Sequence, residues 1–247
     1  MTFKERYYNK DTLNIFVDAS IKKCENETIG CPGAIAIYNN SVLDYKMDIL
    51  RNSTNNNSEI MAIYYGILLA IKYRDKFKYI NLFSDSKICV FGLKEWIFNW
   101  IKTVQIGSDN IDDYTQEYNM NILYGSTGTP VANQSEIMLV VQTILAYNLE
   151  LHIYHQRGHI CTKNESMLQK AMRTFIENNN LFSDEIDLAT MSELSYYNNT
   201  IDDSTRKFLN SYSYHNESIK NPAIFFMYNK DMDINKYSKL LNLSSLR

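Results

Sequence analysis

Apolar and polar positions along this chain change period several times, and each change predicts an element. LNIFVDAS (13–20) alternates and then stops at an acid, which predicts a strand ending in Asp18. CPGAIAIYNN and SVLDYKMDILR predict two more strands, joined through Asn39, Asn40 and Ser41, residues suited to a hairpin turn. The period then becomes helical: over residues 57–74, Ile63, Ile67 and Ala70 recur at steps of three and four. KYINLFSDSK (78–87) predicts a short buried strand ending at Asp85, and KICVFGLKEWIFNWIK a helix rich in aromatic positions. Residues 102–124 lose periodicity and turn acidic, as an insertion would. NQSEIMLVVQTILAYN predicts a helix, LELHIYHQR a strand and NESMLQKAMRTFIENN a further helix.

The order β-β-β-α-β-α-α-β-α implies an α/β fold, a mixed five-stranded sheet with helices on both faces. From about Ser183 the alternation fades into a stretch rich in Tyr, Ser and Asn. We therefore expect a main domain over 1–182, with the insertion at 102–124, and a small C-terminal extension over 183–247.

Composition narrows the class. Of 247 residues 45% are hydrophobic and 21% charged, which is ordinary for a chain that buries a real core. The opening MTFKERYYNK has no apolar signal core, and the longest apolar run (60–71) is too short to span a bilayer, so no membrane association is expected. Cys24, Cys31, Cys89 and Cys161 are scattered, with no zinc spacing, so reduced thiols and a cytoplasmic setting are the expectation. The net charge of −3 argues against a generally basic nucleic-acid binder but leaves room for a local groove.

Glu59 poses a sharper question, because it lies four residues before Ile63 on the apolar stripe of its helix. An acid in the first helical turn suits the helix dipole. A strand-end turn would account for Asp18, and helix capping for Asp85. These local roles explain each acid singly but not three acids in this order. In a mixed sheet with the two strands side by side, Asp18 and Asp85 emerge at one edge, within reach of Glu59. Such a cluster repels itself unless a cation is present, and Mg²⁺ is the natural tenant.

At this point the chain resembles the type 1 ribonuclease H family, from about Leu13 to Phe175. TNNNSEIMA is similar to that family's Thr-Asn-Asn-x-x-Glu-Leu-x-Ala segment, and FSDSKICVFGLKEWIFNW to its Asp-Ser stretch leading into a Trp-rich helix. GTPVANQSEIM resembles its Pro-Val-Lys-Asn connection, and YHQRGHICTKNES its Gly-His loop followed by Asn-Glu. The resemblance implies Asp18, Glu59 and Asp85 as metal-binding catalytic carboxylates, holding two Mg²⁺ or Mn²⁺ ions with substrate. It implies His159 as a catalytic loop histidine that assists proton transfer or product release. Thr54, Asn55, Asn56 and Arg157 fall where the family contacts the nucleic-acid backbone. Trp96 and Trp100 match aromatic positions expected in the core.

Two departures stand out. The family places a fourth carboxylate three residues after the Glu of Asn-Glu; counted from Glu165, that position holds Leu168. Glu165, Gln169, Asp184, Glu185 or Asp187 are the nearest substitutes. The segment after the Trp-rich helix is acidic where many members carry a basic handle, so the extension after Ser183 would supply grip or dock a protein partner. The leading expectation is a metal-dependent endonuclease cutting the RNA strand of RNA–DNA hybrids. A non-catalytic module of the same fold, binding nucleic acid or protein, is the second reading, and a DNA-cutting metal nuclease the third.

Overall fold

The computed structural model describes residues 1–25, 27–102, 123–212 and 233–243. The predicted insertion therefore lies almost wholly outside the described residues. The sheet comprises β1 (Thr12–Lys23), β2 (Thr28–Tyr38), β3 (Ser41–Met47), β4 (Leu50–Arg51), β5 (Tyr79–Ser84) and β6 (His152–His155). Its order is β3-β2-β1-β5-β6, with β4 paired to β2 off that path. β1–β2 and β2–β3 run antiparallel, and β1–β5 and β5–β6 parallel, so the sheet is mixed as expected.

The hairpin between β2 and β3 turns on Asn39 and Asn40, both left-handed at φ 49° and 57°, the geometry that matches strand twist in a tight turn. β4 is the one strand the sequence pattern merges with its neighbour. Asp48 Oδ1 accepts from Ile49 N at 2.8 Å, breaking the run and letting Leu50 pair with Gly30.

Side-chain alternation gives the sheet two cores. On one face Leu13, Ile15 and Val17 pack with apolar residues of α2 (Asn55–Tyr73) and α5 (Gln134–Ala146). On the other, Phe16 and Phe83 stack at 4.7 Å beneath α1 (Phe3–Tyr7), α6 (Glu165–Asn179) and α7 (Leu188–Ser211). Fully burying each such ring contributes on the order of 1.5–3 kcal/mol. No described helix is long and apolar enough to cross a membrane.

The Trp-rich segment is α3 (Lys87–Phe91), a widened π-type turn over Gly92–Trp96, and α4 (Ile97–Lys102). Leu93 and Ile97 take the buried face across this turn. Trp96 and Trp100 are left on the rim, edge to face at 6.0 Å, with Trp96 37% exposed. The expectation that both tryptophans are core is corrected for Trp96. A register in which Leu93 and Ile97 face the core leaves positions 96 and 100 on the helix shoulder.

α7, from the segment after Ser183, packs directly on β1 and β2. Gly33, paired with Asp18, permits this: a Cβ there would come within 2.5 Å of Thr205 Cγ2 and 3.0 Å of Ile201 Cδ1. Ser20 and Thr205 hydroxyls meet at 2.9 Å, fixing the helix along the strand. α8 (Ile234–Leu240) buries Tyr237 in the first core, where its hydroxyl donates to Leu93 O at 3.0 Å.

Candidate active site

β1 and β5 are neighbours in parallel register, with Val17 beside Ser84. The next residue in each chain segment is an acid: Asp85 follows the end of β5, whereas β1 runs on to Lys23, correcting the expected strand end at Asp18, which lies where β1 outruns β5. Glu59 reaches them from the start of α2. That start is fixed by Thr54, which accepts from Asn57 N at 3.2 Å, and by the buried hydroxyl pair Ser53–Ser58 at 2.7 Å. Asp18, Glu59 and Asp85 each bring one carboxylate oxygen to within 4.8 Å of the other two.

This closeness is electrostatically unfavourable without a cation. Asp18 is 4% and Glu59 7% exposed. Burial, then the charge of Asp85, pushes the Asp18 carboxyl up to about 8, against one stabilising bond from Ala19 N at 2.7 Å. Glu59 is raised well above the ordinary range by burial, then by Asp18, Asp85 and Asp202. Asp85 is raised chiefly by burial, and the nearby Asn198 amide and His159 oppose the shift. Glu59 Oε2 is buried with no hydrogen-bond partner among the described residues. An all-oxygen donor set, an orphaned buried carboxylate oxygen and mutually raised acids fit a hard divalent cation.

None of the acids expected to substitute for the fourth carboxylate lies in the cluster. Leu168 is buried in the second core, so the position counted from Glu165 is structural. Glu165 and Gln169 bond to each other at 3.1 Å on an exposed face. Asp184 is exposed; Glu185 accepts from Phe3 N; Asp187 caps α7, accepts from Thr190 N and pairs with Lys4. None of these five joins the cluster. Asp202, on α7, stands outside that close group of three but near enough for its charge to raise Asp18, Glu59 and Asp85 alike.

Asn198, Asp202 and Thr205 lie on one face of α7, at spacings of four and three residues. Asn198 is buried and accepts from Gln156 Nε2 at 2.6 Å, while its amide nitrogen, near Asp85, has no hydrogen-bond partner among the described residues. The signal was in the sequence. Asn198-Asn199-Thr200-Ile201-Asp202 keeps the acid three residues after the second position of the motif, with Asn199 in place of Glu. The competing Asn164-Glu165 directly after the Gly-His loop drew the reading to α6 instead.

The loop after β6 lies against Asp85. A Cβ at Gly158 would come within 1.9 Å of Asp85 Oδ2, so glycine alone lets the backbone approach. His159 follows in a left-handed conformation, φ 53°, with its side chain 74% exposed and Nδ1 3.4 Å from Asp202 Oδ2. Arg157 is exposed in the same loop. His155, at the end of β6, is held neutral: burial pushes its pKa down to about 4 despite a ring hydrogen bond to the Asp85 main chain. Asn178 Nδ2 lies 2.9 Å from His155 Nδ1.

Thr54 and Asn55 are exposed at the head of α2, and Asn56 is half-buried. Asn56 lines a cavity of about 280 Å³ with Ile60, Cys89, Trp96 and Trp100, on the same side of the sheet as α2. The structure therefore gathers Asp18, Glu59 and Asp85, and sets His159 beside Asp202. Thr54, Asn55, Asn56 and Arg157 stand outside the cluster.

The RNase H family pattern matches residues 10–174. The chain belongs to the RNase H family. Ribonuclease HI of Campylobacter jejuni is 43% identical over 61 residues, which are 25% of this chain and 39% of that protein. Ribonuclease H of Hahella chejuensis is 36% identical over 91 residues, 37% of this chain and 57% of that one. The chain thus spans 39% and 57% of the length of these two relatives. RNase H1 from Halobacterium salinarum superposes with a TM-score of 0.38 at 14% identity, covering 59% of this chain and 86% of that one. The family match ends before α7 begins, so the placement of Asp202 rests on the packing of α7.

Proposed function

We propose that this chain is a divalent-metal-dependent endonuclease that hydrolyses the RNA strand of RNA–DNA hybrids. The observation that carries this reading is the convergence of Asp18, Glu59 and Asp85 at one sheet edge. Asp202 adds a fourth acid from α7. We extend the nuclease unit accordingly from 1–182 to include α7.

Mg²⁺ or Mn²⁺, as two ions with substrate, would supply water activation and charge neutralisation at the leaving oxygen. Asp18, Glu59 and Asp85 would hold the ions, with Asp202 completing the set. Asn198, itself bonded to Gln156, orients the Asp85 carboxylate. His159, exposed beside Asp202, offers an imidazole at the rim where product leaves. Thr54, Asn55, Asn56 and Arg157 present hydroxyl, amide and guanidinium groups to the strand backbone and its 2′-hydroxyls, which distinguish RNA from DNA. Cleavage leaves 5′-phosphate and 3′-hydroxyl ends. The four cysteines are free thiols, which suits a reducing cytoplasm.

The second reading, a non-catalytic module, draws support from Leu168 and from the acidic segment over 102–124, and Asp202 weakens it. A labelled RNA–DNA hybrid, duplex DNA and duplex RNA, each with Mg²⁺ or Mn²⁺, separate the readings. Cutting of the hybrid's RNA strand alone, lost in Asp85→Asn, supports the nuclease. Hybrid binding without cutting under either metal supports the module.

A further inference from the structure

Outside the acidic cluster the fold carries a second concentration of charge, of opposite sign. Beside edge strand β6, a cavity of about 200 Å³ is lined by Arg6, Lys94, His152, Tyr154, Asn180 and Asn242, among others. No carboxylate lines it among the described residues. Neither Arg6 nor Lys94 makes an ion pair with a described residue. Arg6 Nη2 donates to the Tyr154 hydroxyl, but Arg6 Nε is buried with no acceptor. Lys94 is half-buried and makes no hydrogen bond or ion pair with a described residue. Burial pushes its pKa down, and the neighbouring Glu95 is the one charge opposing that shift.

His152 registers both cations at once. Its pKa falls to about 4, by burial first and then by repulsion from Arg6 and from Lys94. Three basic groups therefore act on one cavity. The acid nearest Tyr154 is Glu185, and its two oxygens are engaged by Phe3 N at 2.8 Å and Phe182 N at 3.2 Å. Asn180 and Asn242 complete the rim, and their side-chain amides make no hydrogen bond with a described residue. Unpaired buried cations are costly, and an anion reverses that cost.

We propose that this cavity binds a phosphate dianion, carried free or as the terminal phosphate of a small nucleotide. The guanidinium fork of Arg6 suits a tetrahedral oxyanion, and Lys94 supplies a compact second charge. His152 becomes a third donor on gaining a proton from solvent as the anion enters. The amides of Asn180 and Asn242 suit the remaining oxygens or a ribose hydroxyl. The volume takes one phosphate with part of a sugar, not a strand. The site lies three residues along β6 from His155, roughly 10 Å from the end that meets Asp85. It does not rest on the nuclease reading.

The test is calorimetric titration of the full chain, in phosphate-free buffer, with inorganic phosphate and with adenosine 5′-monophosphate. The ring signals of His152 are followed in parallel by NMR. We expect saturable one-to-one binding that moves the His152 signals and weakens at least tenfold in Lys94→Gln and in His152→Gln. Asp85→Asn should bind as the wild type does. Tighter binding of the nucleotide than of phosphate identifies a nucleotide ligand, and equal binding identifies free phosphate. Absence of saturable binding by either anion overturns the proposal. So does binding that both Lys94→Gln and His152→Gln, folded by circular dichroism, leave unchanged.

Discussion

Asp202 Oδ2 stands 3.4 Å from His159 Nδ1, joining a helix from the last third of the chain to the loop that follows β6. The contact puts an exposed imidazole beside an acid that neighbours the carboxylate cluster, where the loop meets α7. His159 is bonded to little else, and its side chain is 74% exposed.

Replacement of His159 by Ala should therefore leave thermal stability nearly unchanged, within about 0.5 kcal/mol. Hybrid cleavage should fall roughly 10²-fold, the scale of a lost general acid–base group. Turnover assays beside thermal melts check this. A large stability loss with unchanged turnover would make the residue structural.

The raised carboxyls give the metal-free protein a definite pH dependence. Asp18 ionises near 3.8 in the unfolded chain and at about 8 in the fold. Between those values the folded state holds a proton that the unfolded state has lost, so unfolding releases protons and stability falls as pH rises. Stability should be greatest on the acid side of that window and lost progressively toward pH 8. Asp18→Asn should raise the metal-free melting temperature at pH 8, and added Mg²⁺ should raise that of the wild type. Denaturant melts at pH 5 and pH 8, with and without metal, read all of these.

Gly158→Ala places a methyl group 1.9 Å from Asp85 Oδ2, a distance no contact tolerates. The loop must shift, costing roughly 1–3 kcal/mol, and Asp85 must turn away from the cluster. Cleavage should drop at least tenfold, and the drop should persist when Mg²⁺ is raised to saturation. Recovery at high metal would mean that the loop does not fix the carboxylate.

His155 is a positioning residue, acting through the main chain of Asp85. Because it is neutral down to about pH 4, its removal should lower the rate without changing the pH profile above pH 5. His155→Gln, which keeps a donor, should retain more activity than His155→Ala. Rate–pH curves for the two variants decide; a profile shifted in either would mean that the imidazole titrates during turnover.

Much of this architecture was legible in residue order. The alternation around Phe16 and the helical repeat of Ile63 and Ile67 specify elements locally, and the acids after Val17 and Ser84 foretold their meeting, although β1 runs past Asp18 to Lys23. What escaped was set by packing between distant segments. Asp202 comes near the cluster because Gly33 lets Ile201 and Thr205 lie on β2, a relation between residues far apart in the chain. Trp96 moved outward because a π-type turn shifts the helix register, which composition does not reveal. The cationic cavity joins Arg6, Lys94 and His152 from three separate elements, and no local motif marks it.

The central claim is that four acids, the last from α7, form one metal site. The most direct measurement compares hybrid cleavage by wild type, Asp202→Asn and Asp187→Asn at saturating Mg²⁺ and at saturating Mn²⁺. We predict a loss of at least 10²-fold for Asp202→Asn, with a folded protein, and near wild-type rates for Asp187→Asn. Equal rates for wild type and Asp202→Asn under both metals would contradict the account.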